Sequence, residues 1–209
     1  MTTSEDWSLQ FDLLYNNISS NQAPGLTEYE KSVFLTQAQE AVILDLYKGT
    51  TGDSFETTEE VTRYLSSLVK TQEFGIPYVL HNFIDKVYEY KIDASDIENL
   101  WFITYQAGTI NFNDKSRDVL IVPTKQDSLF KDLNNPFRGP NHNRILSLSE
   151  DMYITFYSKY PMITYYIKYL KRPNGIDLES EEFSVEIPES LHNQVLYKAV
   201  QLAKAVWQS

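Results

Sequence analysis

The chain has no cysteine in 209 residues, which rules out a disulfide framework, thiolate zinc sites and cysteine nucleophiles and fits a reducing compartment. Histidine is scarce as well: His81, His142 and His192 fall in three separate segments. There is no glycine-rich phosphate loop, no nucleophile elbow and no His-Glu-x-x-His run. The adjacent acids Glu59 and Glu60, and Glu181 and Glu182, read as solvated charge at a helix N-terminus and at a turn rather than as acid/base pairs. The sequence therefore predicts no catalytic residue, no cofactor and no metal. No run of eighteen apolar residues occurs, and Met1 to Asp6 is polar and acidic, which predicts a protein made in the cytoplasm without a leader or a membrane span. Bases are outnumbered, 18 to 29, for a net charge of −11. Such a field excludes a sequence-reading nucleic-acid binder, which presents a basic footprint.

What the chain does have is helical periodicity at both ends and alternation between them. Trp7, Phe11, Leu14 and Ile18 stand at helical spacing and predict a first helix. Thr27 and Glu30 form a capping box that starts a longer helix ending at Gly49. Its apolar stripe is read as Tyr29, Val33, Phe34, Ala38, Ala41, Val42 and Leu46. Thr57 and Glu60 form a second cap pair, predicting a third helix that ends near Thr71. From Tyr78 to Ile187 the period is two, with shared faces at Tyr88, Tyr90 and Ile92; Trp101, Ile103 and Tyr105; Val119 and Ile121; Ile154 and Phe156; Ile163, Tyr165, Ile167 and Tyr169; and Phe183, Val185 and Ile187. Thr124 to Leu133 interrupts it as a short helix with Thr124 and Asp127 as its cap pair. The Asn135-Pro136-Phe137-Arg138-Gly139-Pro140 loop follows. Phe137 there is either an exposed anchor or a plug for the end of the β core. After Pro188, Leu191, Val195, Leu196, Ala199, Val200, Leu202, Ala203, Val206 and Trp207 predict a broad-faced helix that docks on the N-terminal helices.

These elements give an α+β fold: an N-terminal three-helix bundle closed by a C-terminal helix, with an inserted antiparallel β sandwich or barrel. Residues 1–75 and 188–209 make the helical domain and residues 76–187 the β domain, which carries the short helix at 124–133 and the loop at 134–143. Residues 1–60 hold eleven acids and two bases, so the helical front end carries the negative field.

The run Phe11-Asp12-Leu13-Leu14-Tyr15-Asn16-Asn17-Ile18, then Ser20-Asn21-Gln22-Ala23-Pro24-Gly25-Leu26, Val122-Pro123-Thr124, Asn135-Pro136-Phe137, Tyr165-Tyr166-Ile167-Lys168-Tyr169 and Pro188-Glu189-Ser190-Leu191-His192 resembles, in order, the head-to-tail adaptor (connector ring) proteins of crAss-like short-tailed phages. It departs after Arg172-Pro173, where Asn174-Gly175-Ile176-Asp177-Leu178 replaces a longer strand pair. The resemblance implies a virion structural protein at the portal vertex, closed with its own copies into a ring, by family pattern a dodecamer. Its partners would be the portal and neighbouring tail rings, and packaged DNA would pass through the lumen without sequence-specific binding. Candidate interface residues are Asn21, Gln22 and Pro24 before the long helix, Asn135, Phe137 and Arg138 in the loop, and Trp207 at the C-terminal helix end. Two other readings are weighed beside this one. The first is a glycan-binding β-sandwich module stacking sugars on Trp101, Tyr165, Tyr166 and Tyr169; the second is a hydrolase of unrecognised type.

Overall fold

The computed structural model describes residues 3–18, 25–49, 63–75, 81–84 and 87–207. The chain divides into two compact units, residues 1–68 with 172–209 and residues 69–171.

The first unit is built on helices. α1 (Ser4–Ile18) begins earlier than its apolar spacing predicts, because Thr3 and Asp6 cap each other: the Asp6 amide donates to Thr3 Oγ1 (3.2 Å) and the Thr3 amide to Asp6 Oδ2 (3.0 Å). Its buried face is Trp7, Phe11 and Tyr15. α2 (Glu28–Lys48) starts at the expected capping box, with the Glu30 amide donating to Thr27 Oγ1 (3.3 Å) and the Thr27 amide to Glu30 Oε2 (2.8 Å). It ends at Gly49, whose φ of 67° is the left-handed geometry glycine tolerates. The third helix of the sequence reading lies mostly outside the described residues; residues 63–65 are helical, but Val69 to Thr71 are strand. Phe183, Val185 and Ile187, read as a strand, lie in irregular chain. The C-terminal helix (Glu189–Trp207, named α4 below in chain order) packs on α2 and α1 through Leu191, Val195, Leu196, Ala199, Val200 and Ala203. Burying each large apolar side chain of such a face contributes about 1.5–3 kcal/mol.

The buried stripe of α2 differs from the one its apolar residues predict. Leu35, Ala38, Val42 and Ile43 are buried, but so are the polar Lys31, Ser32 and Gln39, while Tyr29 and Val33 face solvent. Lys31 is covered by α1, and Ser32 and Gln39 by the extended segment after Arg172, which lies along the helix. Thr36 Oγ1 accepts from the Ile176 amide (3.0 Å) and donates to its carbonyl (3.3 Å), the Leu178 amide donates to Ser32 Oγ (2.9 Å), and Gln39 Nε2 donates to the Asn174 carbonyl (3.0 Å). Side chains of one helix face thus satisfy backbone groups that would otherwise have no partner in the interior.

The second unit is one eight-stranded sheet rather than a sandwich of two. Its strands are β1 (Val69–Gly75), β2 (His81–Ile84), β3 (Val87–Asp93), β4 (Leu100–Phe112), β5 (Lys115–Pro123), β6 (Arg144–Ser149), β7 (Tyr153–Ser158) and β8 (Met162–Lys171). Their order is β1-β8-β4-β5-β6-β7-β3-β2. β4 and β5 join in a two-residue hairpin whose Asn113 and Asp114 both have positive φ, 53° and 60°, as the twist-matched tight turn requires. Neighbours run antiparallel with one exception, which corrects the all-antiparallel expectation: β5 and β6 are parallel. A parallel pair needs a crossover, and residues 124–143, with the short helix α3 (Leu129–Leu133), supply it.

One sheet face carries the main core of Tyr90, Ile92, Ile110, Phe156, Tyr165 and Ile167 with their neighbours. Phe156 and Tyr165 meet at 4.5 Å between ring centres, a contact worth about 0.5–1.5 kcal/mol beyond its area. On the opposite face Leu146, Leu148 and Tyr157 are covered by Leu129 and Leu133 of the crossover. Burial pushes the Tyr157 phenol up to about 12, helped by the nearby Glu89 and Glu150.

Candidate functional site

Among the described residues, the crossover between β5 and β6 presents the most exposed aromatics of the sheet unit. Leu129 and Leu133 of α3 turn inward, while Phe130 is 72% and Phe137 85% exposed. At that exposure Phe137 does not plug the β core. The short helix begins at Leu129, later than expected, and Thr124 Oγ1 donates to Asp132 Oδ2 (2.8 Å) rather than pairing with Asp127. This bond is the main reason the Asp132 carboxyl sits below the usual carboxylate range.

The loop after α3 is rigidly braced. Asn135 Oδ1 accepts from the amides of Phe137 (2.8 Å) and Arg138 (3.2 Å), and the Gly139 amide donates to the Asn135 carbonyl (2.7 Å). Arg144 Nη1, from the first residue of β6, donates to the carbonyls of both Phe137 (3.0 Å) and Arg138 (3.2 Å). Gly139 is buried, and a Cβ there would come within 2.8 Å of the Asn135 carbonyl oxygen and 3.1 Å of those of Asp132 and Leu133, so only glycine lets the turn close. The result is a fixed platform that holds Phe137 and Arg138 out in solvent, with Arg138 and the exposed Lys131 both near the Asp132 carboxylate. A preformed loop loses little entropy on docking.

The net negative charge belongs to one unit alone. Residues 1–68 and 172–209 contain seventeen acids and six bases, a net −11, and residues 69–171 contain twelve of each, a net of zero. The acidic unit has its own surface feature, a groove of about 690 Å3 beside α2, walled by Tyr29 and Val33 on the helix and by Arg172, Ile176, Asp177 and Glu179 on the extended segment. Tyr29 is 67% exposed. Arg172 is tied across the groove floor to Glu40, Nη2 to Oε1 at 2.8 Å.

The other sequence candidates are not gathered with these. Asn21, Gln22 and Pro24 lie outside the described residues, as does the side chain of Trp207, which ends α4. The histidines stay apart: His142 stacks on Phe112 in the sheet unit, and His192 packs against Trp7 in the helical unit with the rings tilted, its Nε2 3.3 Å from the Ile187 carbonyl. Among the described residues no cluster of His, Asp or Glu could hold a metal ion, and no helix is long and apolar enough to cross a membrane. The glycan platform is not assembled, because Tyr165 and Tyr169 are buried in the core; Tyr165 donates to Gln106 Oε1 (3.1 Å), and burial raises its phenol pKa. Sequence reasoning missed the α2 groove. The signal available was a tyrosine and a valine four residues apart on a helix whose other stripe is rich in small polar residues.

A fixed, exposed aromatic–basic loop and an acidic groove with apolar walls are surfaces without catalytic groups, which fits a structural class of protein. The full length of the chain, residues 1–209, matches the phage tail ring protein 3/4 family, and the chain belongs to it. It is 36% identical over 228 aligned positions to ring protein 3 of Bacteroides phage crAss001, covering 96% of this chain and 94% of that protein. It is 28% identical over 235 positions to ring protein 4/5 of the same phage, covering 97% and 92%. The protein is a virion structural ring protein of crAss-like phages, and its relatives are structural proteins rather than enzymes.

Proposed function

We propose that the protein is a head-to-tail adaptor: its copies close into a ring below the portal, extend the DNA channel into the tail and join the capsid vertex to the next tail ring. Membership of the tail ring family over the whole chain carries this reading. A closed ring needs two unlike faces on each copy that meet head to tail, and the chain offers an exposed apolar patch on each unit, one beside acids and one beside bases. The segregated charge gives the ring an orientation. With the acidic helical unit toward the lumen, negative walls repel the phosphate backbone and let DNA slide without sequence-specific binding. Twelve copies would match the family pattern.

The test is reconstitution with the portal protein of the same phage, followed by electron microscopy. Closed rings stacked on the portal are expected. Binding to a tail fibre or to a glycan surface, with no affinity for the portal, would overturn the reading.

A further inference from the structure

We infer that the acidic groove beside α2 receives the Phe137–Arg138 loop of a neighbouring copy, and that this contact joins subunits around the ring. The inference rests on the ring reading above and adds the two surfaces that meet.

The groove is open on the helical unit, and two of its lining side chains are exposed and apolar: Tyr29 and Val33 stand one turn apart on α2. Around them lie Asp177 and Glu179, with Glu40 paired to Arg172, which leaves the lining net negative on a unit with eleven more acids than bases. An occupant suited to it carries an aromatic tip with cations beside it, on a backbone already fixed. The crossover loop has that composition. Phe137 is 85% exposed, Arg138 is its neighbour, Lys131 lies on the preceding helix, and Asn135 and Arg144 hold the turn. The crossover from Thr124 to Arg144 carries four bases and two acids, so its sign is opposite to that of the groove. Aromatic and arginine anchors seated in a pocket dominate the energetics of interfaces, while the surrounding charges set register and speed of encounter. A loop and a groove are unlike surfaces, so every copy bears one of each. Such a contact repeats in one direction and closes when the rotation between copies allows.

The absence of native cysteine makes the contact testable by directed disulfide formation. One variant carries Tyr29→Cys and a second carries Phe137→Cys; mixing them ensures that any link between the two positions joins different copies. Under mild oxidation at the highest soluble concentration, the mixture is expected to give a covalent dimer at several times the yield of either variant alone. Adding Arg138→Glu to the second variant is expected to abolish most of that gain, as is high salt. No excess of linked dimer in the mixture overturns the inference, and so does equal linking by the Phe137→Cys variant alone, which would mean that loops meet loops. The ring reading is scored separately by electron microscopy of the unmodified protein with its portal. Closed rings without the groove-to-loop link would leave the ring reading standing and sink the groove assignment. The link with only open chains would support the groove and sink ring closure.

Discussion

Lys31 is a buried cation of the helical unit, and its surroundings make an asymmetric prediction. Its side chain is 4% exposed, and Nζ donates to Asp12 Oδ2 (2.7 Å), Glu28 Oε1 (3.1 Å) and Ser8 Oγ (2.9 Å), while Ser8 Oγ in turn donates to Glu28 Oε1 (2.8 Å). The network ties α1 to α2. Its two carboxylates are 45% and 43% exposed and keep much of their water. Removing the lysine as Lys31→Met therefore leaves two acids that rehydrate, and the thioether chain fills most of the space; the cost is about 1–2 kcal/mol. Removing both acids as Asp12→Ala with Glu28→Ala leaves a buried ammonium with only a serine hydroxyl, and the cost is about 3–5 kcal/mol. Urea unfolding of the three proteins measures the difference. A double-acid variant no less stable than Lys31→Met would refute the reasoning. The pH dependence follows from the same groups. Burial alone would raise the Glu28 carboxyl, but Ser8 and Lys31 hold it below its ordinary 4.5. Its contribution is thus present above 4.5 and lost as pH falls through the folded-state value. Burial alone would lower Lys31, but Asp12 and Glu28 hold it above its ordinary 10.5. That contribution is present below 10.5 and lost as pH rises through the folded-state value.

Thr27→Ala removes the oxygen that caps α2 and should cost about 1 kcal/mol, read as a lower melting temperature with folding retained; an unchanged melting curve would place the helix start elsewhere. Thr36→Val keeps the side-chain shape but deletes both hydrogen bonds to Ile176, so stability should fall by about 1–3 kcal/mol and the Ile176 amide should exchange faster with solvent. Phe137→Ala with Arg138→Ala should leave the monomer within about 0.5 kcal/mol of the parent, because both side chains are exposed, while ring assembly is lost; a loss of 3 kcal/mol or more, roughly the cost of truncating a core phenylalanine, would mean that Phe137 is packed after all.

Local signals were legible in the sequence. The Thr27–Glu30 box, the glycine stop at Gly49 and the docking face of α4 depend on residues within a few positions of one another; the first two stand as read, and the face holds from Leu191 to Ala203, while Val206, read as part of it, is exposed. The Tyr165–Ile167–Tyr169 face was also visible, because that stretch of β8 alternates, although Ile163, read with it, is exposed; Ile154 and Phe156 are buried as read, but so are Thr155 and Tyr157 between and beyond them. β6 was not, since Ile145, Leu146, Ser147 and Leu148 are all buried: a strand covered on both faces has no period of two to detect. β1 read as the end of a helix because Lys70-Thr71-Gln72-Glu73 is a polar edge strand. The stripe on α2 was misjudged for a different reason. Thr36 is satisfied by Ile176, 140 residues away, and no local window contains both. The loop was legible as a loop from its prolines and glycine, but the exposure of Phe137 follows from the bracing by Asn135 and Arg144, which only the fold brings to bear.

A cryo-electron microscopy reconstruction of the portal vertex of the phage that carries this protein tests the central claim most directly. The account predicts this fold in a closed ring beneath the portal, with the acidic helical unit toward the lumen and the Phe137 loop of each copy seated against α2 of the next. Density for the fold only at the tail periphery, or as isolated copies with no neighbour of their own kind, would contradict it.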